Sequence, residues 1–184
     1  MLKHCFGGTA IVRWRWMRLI TASLALIFLC SMPSRAERLT ADGWELLVVG
    51  YPDGRDVAVV LGGGAKTLTA KGLCKVKWRK NVATLELEVA GLPAPADAGW
   101  AGAQYVLWAI DNEKRIMNLG LVPVSGKEAK WKLQAPLRTF GLLITAEKNP
   151  QATSPSADVA LESLLPTNPN LVVPAFRVNV PLTP

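Results

Sequence analysis

Residues 71–90 read Lys-Gly-Leu-Cys-Lys-Val-Lys-Trp-Arg-Lys-Asn-Val-Ala-Thr-Leu-Glu-Leu-Glu-Val-Ala. Apolar and polar residues alternate on both sides of Lys80-Asn81, the period of a strand with one buried face. With those two residues as the turn, Trp78 faces Ala83, Val76 faces Leu85 and Cys74 faces Leu87. These pairs all point to one side. On the other side Lys77 meets Thr84, and Lys75 meets Glu86 in an opposite-charge pair worth ~0.2–1 kcal/mol. A slip of one residue would turn every apolar side chain to water, so the pattern fixes its own register. It predicts a β-hairpin that puts Cys74, Val76, Trp78, Leu85 and Leu87 in the core.

The same grammar extends outward. Short alternating or apolar runs recur every ~8–12 residues with turn residues between them, the spacing of an antiparallel sandwich or barrel. Predicted strands are 44–50, 56–61, 67–79, 83–90, 104–110, 116–122, 129–134, 139–147 and 159–162. Breakers fill the gaps: Pro52-Asp53-Gly54, Gly62-Gly63-Gly64, 93–102, Ser125-Gly126-Lys127 and Asn149-Pro150. Tyr105-Val-Leu-Trp-Ala-Ile110 is apolar throughout, as is Phe140-Gly-Leu-Leu-Ile144 apart from its glycine. Strands of that kind are central and covered on both faces. Trp108 then becomes a core anchor whose indole N–H needs a partner. The expected fold is all-β: a two-sheet antiparallel sandwich of roughly seven to nine strands, immunoglobulin-like in general shape, preceded by an N-terminal signal helix.

The run from Tyr105 to Pro155 also carries a resemblance. Tyr105, Leu107, Trp108, Gly120, Phe140, Thr145, Ala146, Glu147 and Pro155 resemble the pattern of the extracytoplasmic domain of anti-sigma-K factors. The resemblance implies a β-rich module on the far side of the bacterial inner membrane and a regulatory neighbourhood. Such factors join this domain through a membrane helix to a cytosolic sigma-binding domain. Here the segment before Leu19 is expected to hold no sigma-binding domain, so what carries over is the outer domain alone.

Residues 1–36 read as an export leader. Lys3, His4, Arg13, Arg15 and Arg18 form a basic region, Leu19 to Cys30 is mostly apolar, and Ser34-Arg35-Ala36 offers small residues at a cleavage site before Glu37. The alternative is an uncleaved anchor through residues 19–32, although the apolar stretch falls short of the ~20 residues that span a bilayer. Cys30 follows Leu29, where a lipobox requires a small residue. The chain has 21 basic and 14 acidic residues, net +7. Five basic residues precede Glu37, which leaves 16 against 14, or +2, for residues 37–184. The high isoelectric point therefore belongs mainly to the leader and gives no reason to expect a nucleic-acid partner. Residues 37–184 are enough for one domain that buries about 70% of its unfolded surface. Cys74 is the one cysteine among them, so packing alone must hold the fold. The expected parts are the leader 1–36, a β-domain 37–163 and a Pro-rich extended tail 164–184.

His4 is the only histidine, so residues 37–184 have none. That excludes Ser-His-Asp and Cys-His catalysis and the commonest zinc sites. Cys74 reads as a buried small hydrophobe rather than a nucleophile. Gly62-Gly-Gly-Ala-Lys-Thr67 has the composition of a phosphate loop, but Ala65 precedes Lys66 and no helical pattern follows, so it reads as a flexible hairpin loop. Lys75, Lys77 and Arg79 lie on the strand face opposite Trp78 and predict a solvated face rather than a polyanion site. Asp53 and Asp56 supply too few oxygens for calcium, and Asp111, Asn112 and Glu113 read as a polar hairpin tip. No catalytic residue, cofactor or metal ligand is predicted.

Two stretches are candidate contacts. Trp100, in a Gly- and Ala-rich loop, either marks a surface contact or folds back on the domain. In the tail, Phe176, Val178, Val180 and Leu182 alternate with polar residues and proline. That pattern suits an edge strand, on this domain or on a partner. Together these readings predict a non-enzymatic exported module, periplasmic or secreted, that binds another envelope protein or a cell-surface component. The competing expectations are an envelope hydrolase using a carboxylate pair, and a glycan-binding module using Trp100.

Overall fold

The computed structural model describes residues 39–40, 43–123, 129–166 and 172–183. The expected signal helix and the Ser125-Gly126-Lys127 breaker lie outside these. Residues 37–184 form one compact unit. The described part is all-β, with strands β1 (Leu39–Thr40), β2 (Gly43–Gly50), β3 (Asp56–Gly63), β4 (Lys71–Arg79), β5 (Val82–Ala90), β6 (Gln104–Asp111), β7 (Ile116–Leu121), β8 (Ala129–Ala135), β9 (Thr139–Glu147), β10 (Val159–Pro166) and β11 (Ala175–Val180). All nine strands predicted from spacing are present, although the one expected over 67–79 begins only at Lys71, because residues 67–70 close a turn through the Ala70 N–H to the Thr67 carbonyl. The tail adds β11, and β1 was not anticipated: a two-residue strand offers no period to read.

The architecture differs from the expected immunoglobulin-like pair of separate sheets. The strands form one hydrogen-bonded sheet, whose main path runs β7-β6-β9-β10-β3-β4-β5-β8 with every neighbour antiparallel. Strands β7 and β8 are consecutive in sequence yet stand at opposite ends of this path. Cα atoms of the two strands nonetheless approach within 8 Å of each other. The sheet is thus curled into a nearly closed barrel, which leaves little open edge.

A second layer explains why two strands are apolar on both faces. Tyr105, Leu107, Ala109, Phe140, Leu142, Ile144 and Ala146 point into the barrel and pack with Val57, Val59, Leu61, Cys74, Val76, Trp78, Leu85 and Leu87. The alternate residues Val106, Trp108, Ile110 and Leu143 point outward and form a separate cluster with Leu46, Val159 and Val180. Strand β2 supplies Leu46 and β11 supplies Val180, so this ribbon covers the outside of β6 and β9. Trp78 and Trp108 therefore anchor different clusters rather than one shared core.

The ribbon leaves the barrel at a fork. Strand β2 pairs with β9 only at Val49↔Phe140 and Gly50↔Thr139, after which β10 takes over the same edge of β9 at Leu143. Ser163 holds the fork: its hydroxyl receives the Leu142 N–H at 3.1 Å and donates to the Leu47 carbonyl at 2.9 Å. Gly141 is required here, because a Cβ at that position would lie 2.3 Å from the Leu47 carbonyl oxygen.

The hairpin of β4 and β5 has the register the alternation predicts, with Trp78↔Ala83, Val76↔Leu85 and Cys74↔Leu87 paired. Its turn residues Lys80 and Asn81 both have positive φ, 52° and 63°. That is the two-residue turn whose twist matches paired strands.

Candidate functional site

The five residues placed in the core from the hairpin pattern are all interior. Cys74, Val76, Leu85 and Leu87 are fully buried, and Trp78 is nearly so. Burial pushes the Cys74 thiol up to about 12 from its ordinary 9.0. It stays protonated at neutral pH, which is the state of an inert packing group. Tyr51, inside the same barrel, is also pushed up, by burial first and by the nearby Cys74 second.

Outside the barrel, the opposite face of the hairpin is a lattice of charges in water. Lys132 reaches Glu86 at 2.8 Å, Lys130 reaches Glu88 at 3.0 Å, and Lys77 reaches Asp56 at 3.3 Å. The hydrogen bond and charge of Lys132 hold the Glu86 carboxyl below its usual range, with a smaller contribution from Lys75. Sequence pairing of Lys75 with Glu86 is correct in register, but the closer cation comes from β8, which local reading of the hairpin could not include. Asp53 and Asp56 are likewise absorbed by a turn and this face: Gly54, at φ 68°, donates its N–H to the Trp78 carbonyl.

Three buried acids are engaged within the fold. Asp111 accepts the backbone N–H groups of Glu113 and Arg115 and the Arg115 side chain at 2.5 Å, which closes the β6–β7 hairpin tip. Glu162 receives the Trp44 indole N–H at 2.8 Å. Glu147 belongs to a chain that starts at Trp108. The Trp108 indole donates to the Thr145 hydroxyl at 2.7 Å, Thr145 donates to Glu147, and the Ser156 backbone N–H donates to the same carboxylate at 2.7 Å. This network supplies the partner that the Trp108 indole needed.

The Gly62–Thr67 loop is tied to β10 by hydrogen bonds. The Thr67 hydroxyl donates to the Ala160 carbonyl and also receives the Gly64 N–H, while Gly64 donates to Ala160 as well. A Cβ on Gly63 would sit 1.9 Å from the Thr67 carbonyl oxygen, and one on Gly64 would sit 2.2 Å from that of Val159. Gly63 allows close packing against the loop's own backbone and Gly64 against β10, which a motif comparison in one dimension cannot reveal.

Of the two readings of Trp100, the structure has the one that folds it back. It is 6% exposed, set edge-on to Tyr105 with ring centroids 6.1 Å apart, and Lys66 Nζ lies 4.9 Å from its centroid. As a surface contact it would need uncovering. The tail folds on this domain: β11 pairs with β2 from Ala175↔Val49 to Val180↔Trp44. Val178 and Val180 are buried in that packing, and Phe176 remains 46% exposed. Of the four candidate contact residues, Phe176 is thus the one that faces solvent. Among the described residues no group of His, Cys, Asp and Glu is arranged to hold a metal.

The strongest candidate for an interaction site is therefore the edge of β11 together with Phe176. Strand β11 pairs with β2 alone among the described residues, and no other described strand lies on its second edge. Comparison with family models, curated proteins and solved structures found no match to this chain.

Proposed function

We propose that this chain is an exported, non-enzymatic β-domain that binds another envelope protein or a cell-surface component, in the manner of an outer domain similar to that of anti-sigma-K factors. It acts in the periplasm or beyond the cell, either free or held at the inner membrane by residues 19–32. The observation that carries this reading is the ribbon edge: β11 is an outermost strand with an exposed aromatic at Phe176. An extended segment of a partner adds there as one more strand. Main-chain hydrogen bonds give affinity, and Phe176 gives side-chain selectivity.

The carboxylate-pair hydrolase is less well supported. The buried acids Asp111, Glu147 and Glu162 already accept hydrogen bonds that close a hairpin, fix a loop and anchor Trp44. Glu86, Glu88 and Asp56 sit on a wet face beside cations, and Glu45, Glu113 and Asp158 are paired with Arg177, Arg115 and Lys66. Strand addition at the ribbon edge needs no cofactor and no metal.

The test is capture from an envelope fraction by the full chain and by Phe176→Asp. Deleting residues 164–184 is a poorer variant, because it strips Val180 from the cluster that covers Trp108. Phe176→Asp is expected to abolish specific capture and leave the thermal midpoint unchanged. Equal capture by both proteins would remove the edge from consideration.

A further inference from the structure

Among the described residues, two buried side-chain donors lack a hydrogen-bond partner, and they belong to neighbouring rings: Trp100 Nε1 and Tyr105 Oη. An unsatisfied buried donor costs ~1–3 kcal/mol, so two at one place call for a reason. The contrast with Trp108 and Tyr51 is direct, since those find Thr145 and the Phe140 carbonyl.

The segment that brings Trp100 there has the build of a cover. Residues 91–103 run from β5 to β6 through successive turns, closed by Ala98 N–H to Ala94, Trp100 N–H to Pro95 and Ala103 N–H to Trp100. Trp100 is its one buried residue. Gly99 and Gly102 flank it at φ 81° and 75°, and nothing lies within 4 Å of where a Cβ would stand on either. Their conformation is free of packing constraints, which suits a pair of hinges. The Lys66 ammonium lies over the Trp100 ring and is shared with Asp158 at 3.9 Å.

We propose that residues 99–102 form a lid that lifts Trp100 from β6, and that the gap so opened binds a small neutral ligand, a sugar-type ring carrying a carbonyl or hydroxyl acceptor, between Trp100 Nε1 and Tyr105 Oη. Both free groups are donors on neighbouring rings, so they select an acceptor. Leu92, Ala98, Ala103 and Val122 pack around the same core, so the ligand also needs an apolar face to lay on the indole. Charge narrows the class further. The Asp97 carboxylate acts on Tyr105 and disfavours an anion, whereas Lys66 over the indole disfavours a cation. The site uses neither β11 nor Phe176, so it stands or fails independently of strand addition.

The test is a titration of the full chain, 15N-labelled at tryptophan, with N-acetylglucosamine, a neutral ring with an acetamide carbonyl. Trp100→Phe identifies the Trp100 indole signal by its disappearance. The expected result is a saturable shift of that signal with the Trp108 signal unmoved. Tyr105→Phe keeps the ring and removes the unsatisfied hydroxyl; it is expected to keep or raise the melting midpoint and weaken binding about tenfold, the loss of one buried hydrogen bond. An indole signal that does not move with sugar, or equal affinity in Tyr105→Phe, overturns the proposal.

Discussion

The β4–β5 hairpin has one wet face, and the β6–β9 ladder has none. Both are long antiparallel pairs inside the same sheet, but they are specified by different means. Along the hairpin, Lys71, Lys75, Lys77 and Arg79 are exposed while Cys74, Val76 and Trp78 are buried, so alternation alone sets the register. Along β6 and β9, residues 105–111 and 140–147 are all buried. A slip there would exchange one apolar face for another at little transfer cost. Register must come from polar groups with one place to go. Trp108 reaches Thr145, Thr145 reaches Glu147, and Ser163 ties β9 to β2. Double coverage strengthens burial but hands specificity to hydrogen bonds.

The sharpest way to break this contrast is Trp108→Ala. The indole is fully buried in the outer cluster between the β6–β9 face and the β2–β11 ribbon. Its removal is expected to cost about 3–5 kcal/mol, read as a lower midpoint in urea unfolding. A loss well under 1 kcal/mol would mean that the ribbon does not cover this face in solution.

Alkaline pH probes the barrel side of the comparison. Cys74 ordinarily titrates at 9.0 and is held at about 12 in the fold by burial. Between those values the unfolded chain has lost the thiol proton and the native chain keeps it. Stability is therefore intact below pH ~9 and falls as pH rises towards 12. Tyr105, raised to about 12 by burial and then by Asp97, acts with the same sign. Cys74→Val is expected to flatten the pH dependence of the unfolding free energy between pH 9 and 11. An unchanged slope would show that Cys74 is not closed off from water.

A smaller effect is expected at the fork. Ser163→Ala leaves the Leu142 N–H and Leu47 carbonyl without the hydroxyl that joins them. The loss should be about 1–3 kcal/mol. Because the fork orders the ribbon, hydrogen exchange should accelerate in β2 and β11 and stay unchanged in β4 and β5. Uniform acceleration would mean that ribbon and barrel open as one unit.

The contrast also explains what was readable in one dimension. The nine strands and the hairpin register follow from local alternation and turn residues. The apolar runs 105–110 and 140–144 correctly announced double coverage, without saying by what. What covers them is β2 paired with β11, residues separated by more than a hundred positions, and no local period encodes that pairing. Closure into a barrel was equally hidden, since a sandwich and a curled sheet share the same strand spacing; the order of strands decides between them. The candidate sites divide the same way. Cys74 was legible because it lies on an alternating strand. The Trp100–Tyr105 donor pair was not, because an irregular loop places Trp100, and the cation above it arrives from the β3–β4 turn.

The mildest prediction sharpens the hairpin half of the comparison. Lys80 and Asn81 both adopt positive φ, a conformation in which a Cβ crowds the following carbonyl. Asn tolerates it through local hydrogen bonding, whereas lysine does not. The alternation of the flanking strands evidently carries the register despite this misfit. Lys80→Asn is expected to raise stability by ~1 kcal/mol or less, with the same strand pairing. The gain should appear as a higher urea midpoint at constant m-value. If the substitution instead changes the pairing of Val76 with Leu85, seen as altered cross-strand NMR contacts, then the turn rather than the wet-and-dry pattern sets the register, and the hairpin and the buried ladder differ less than their sequences suggest.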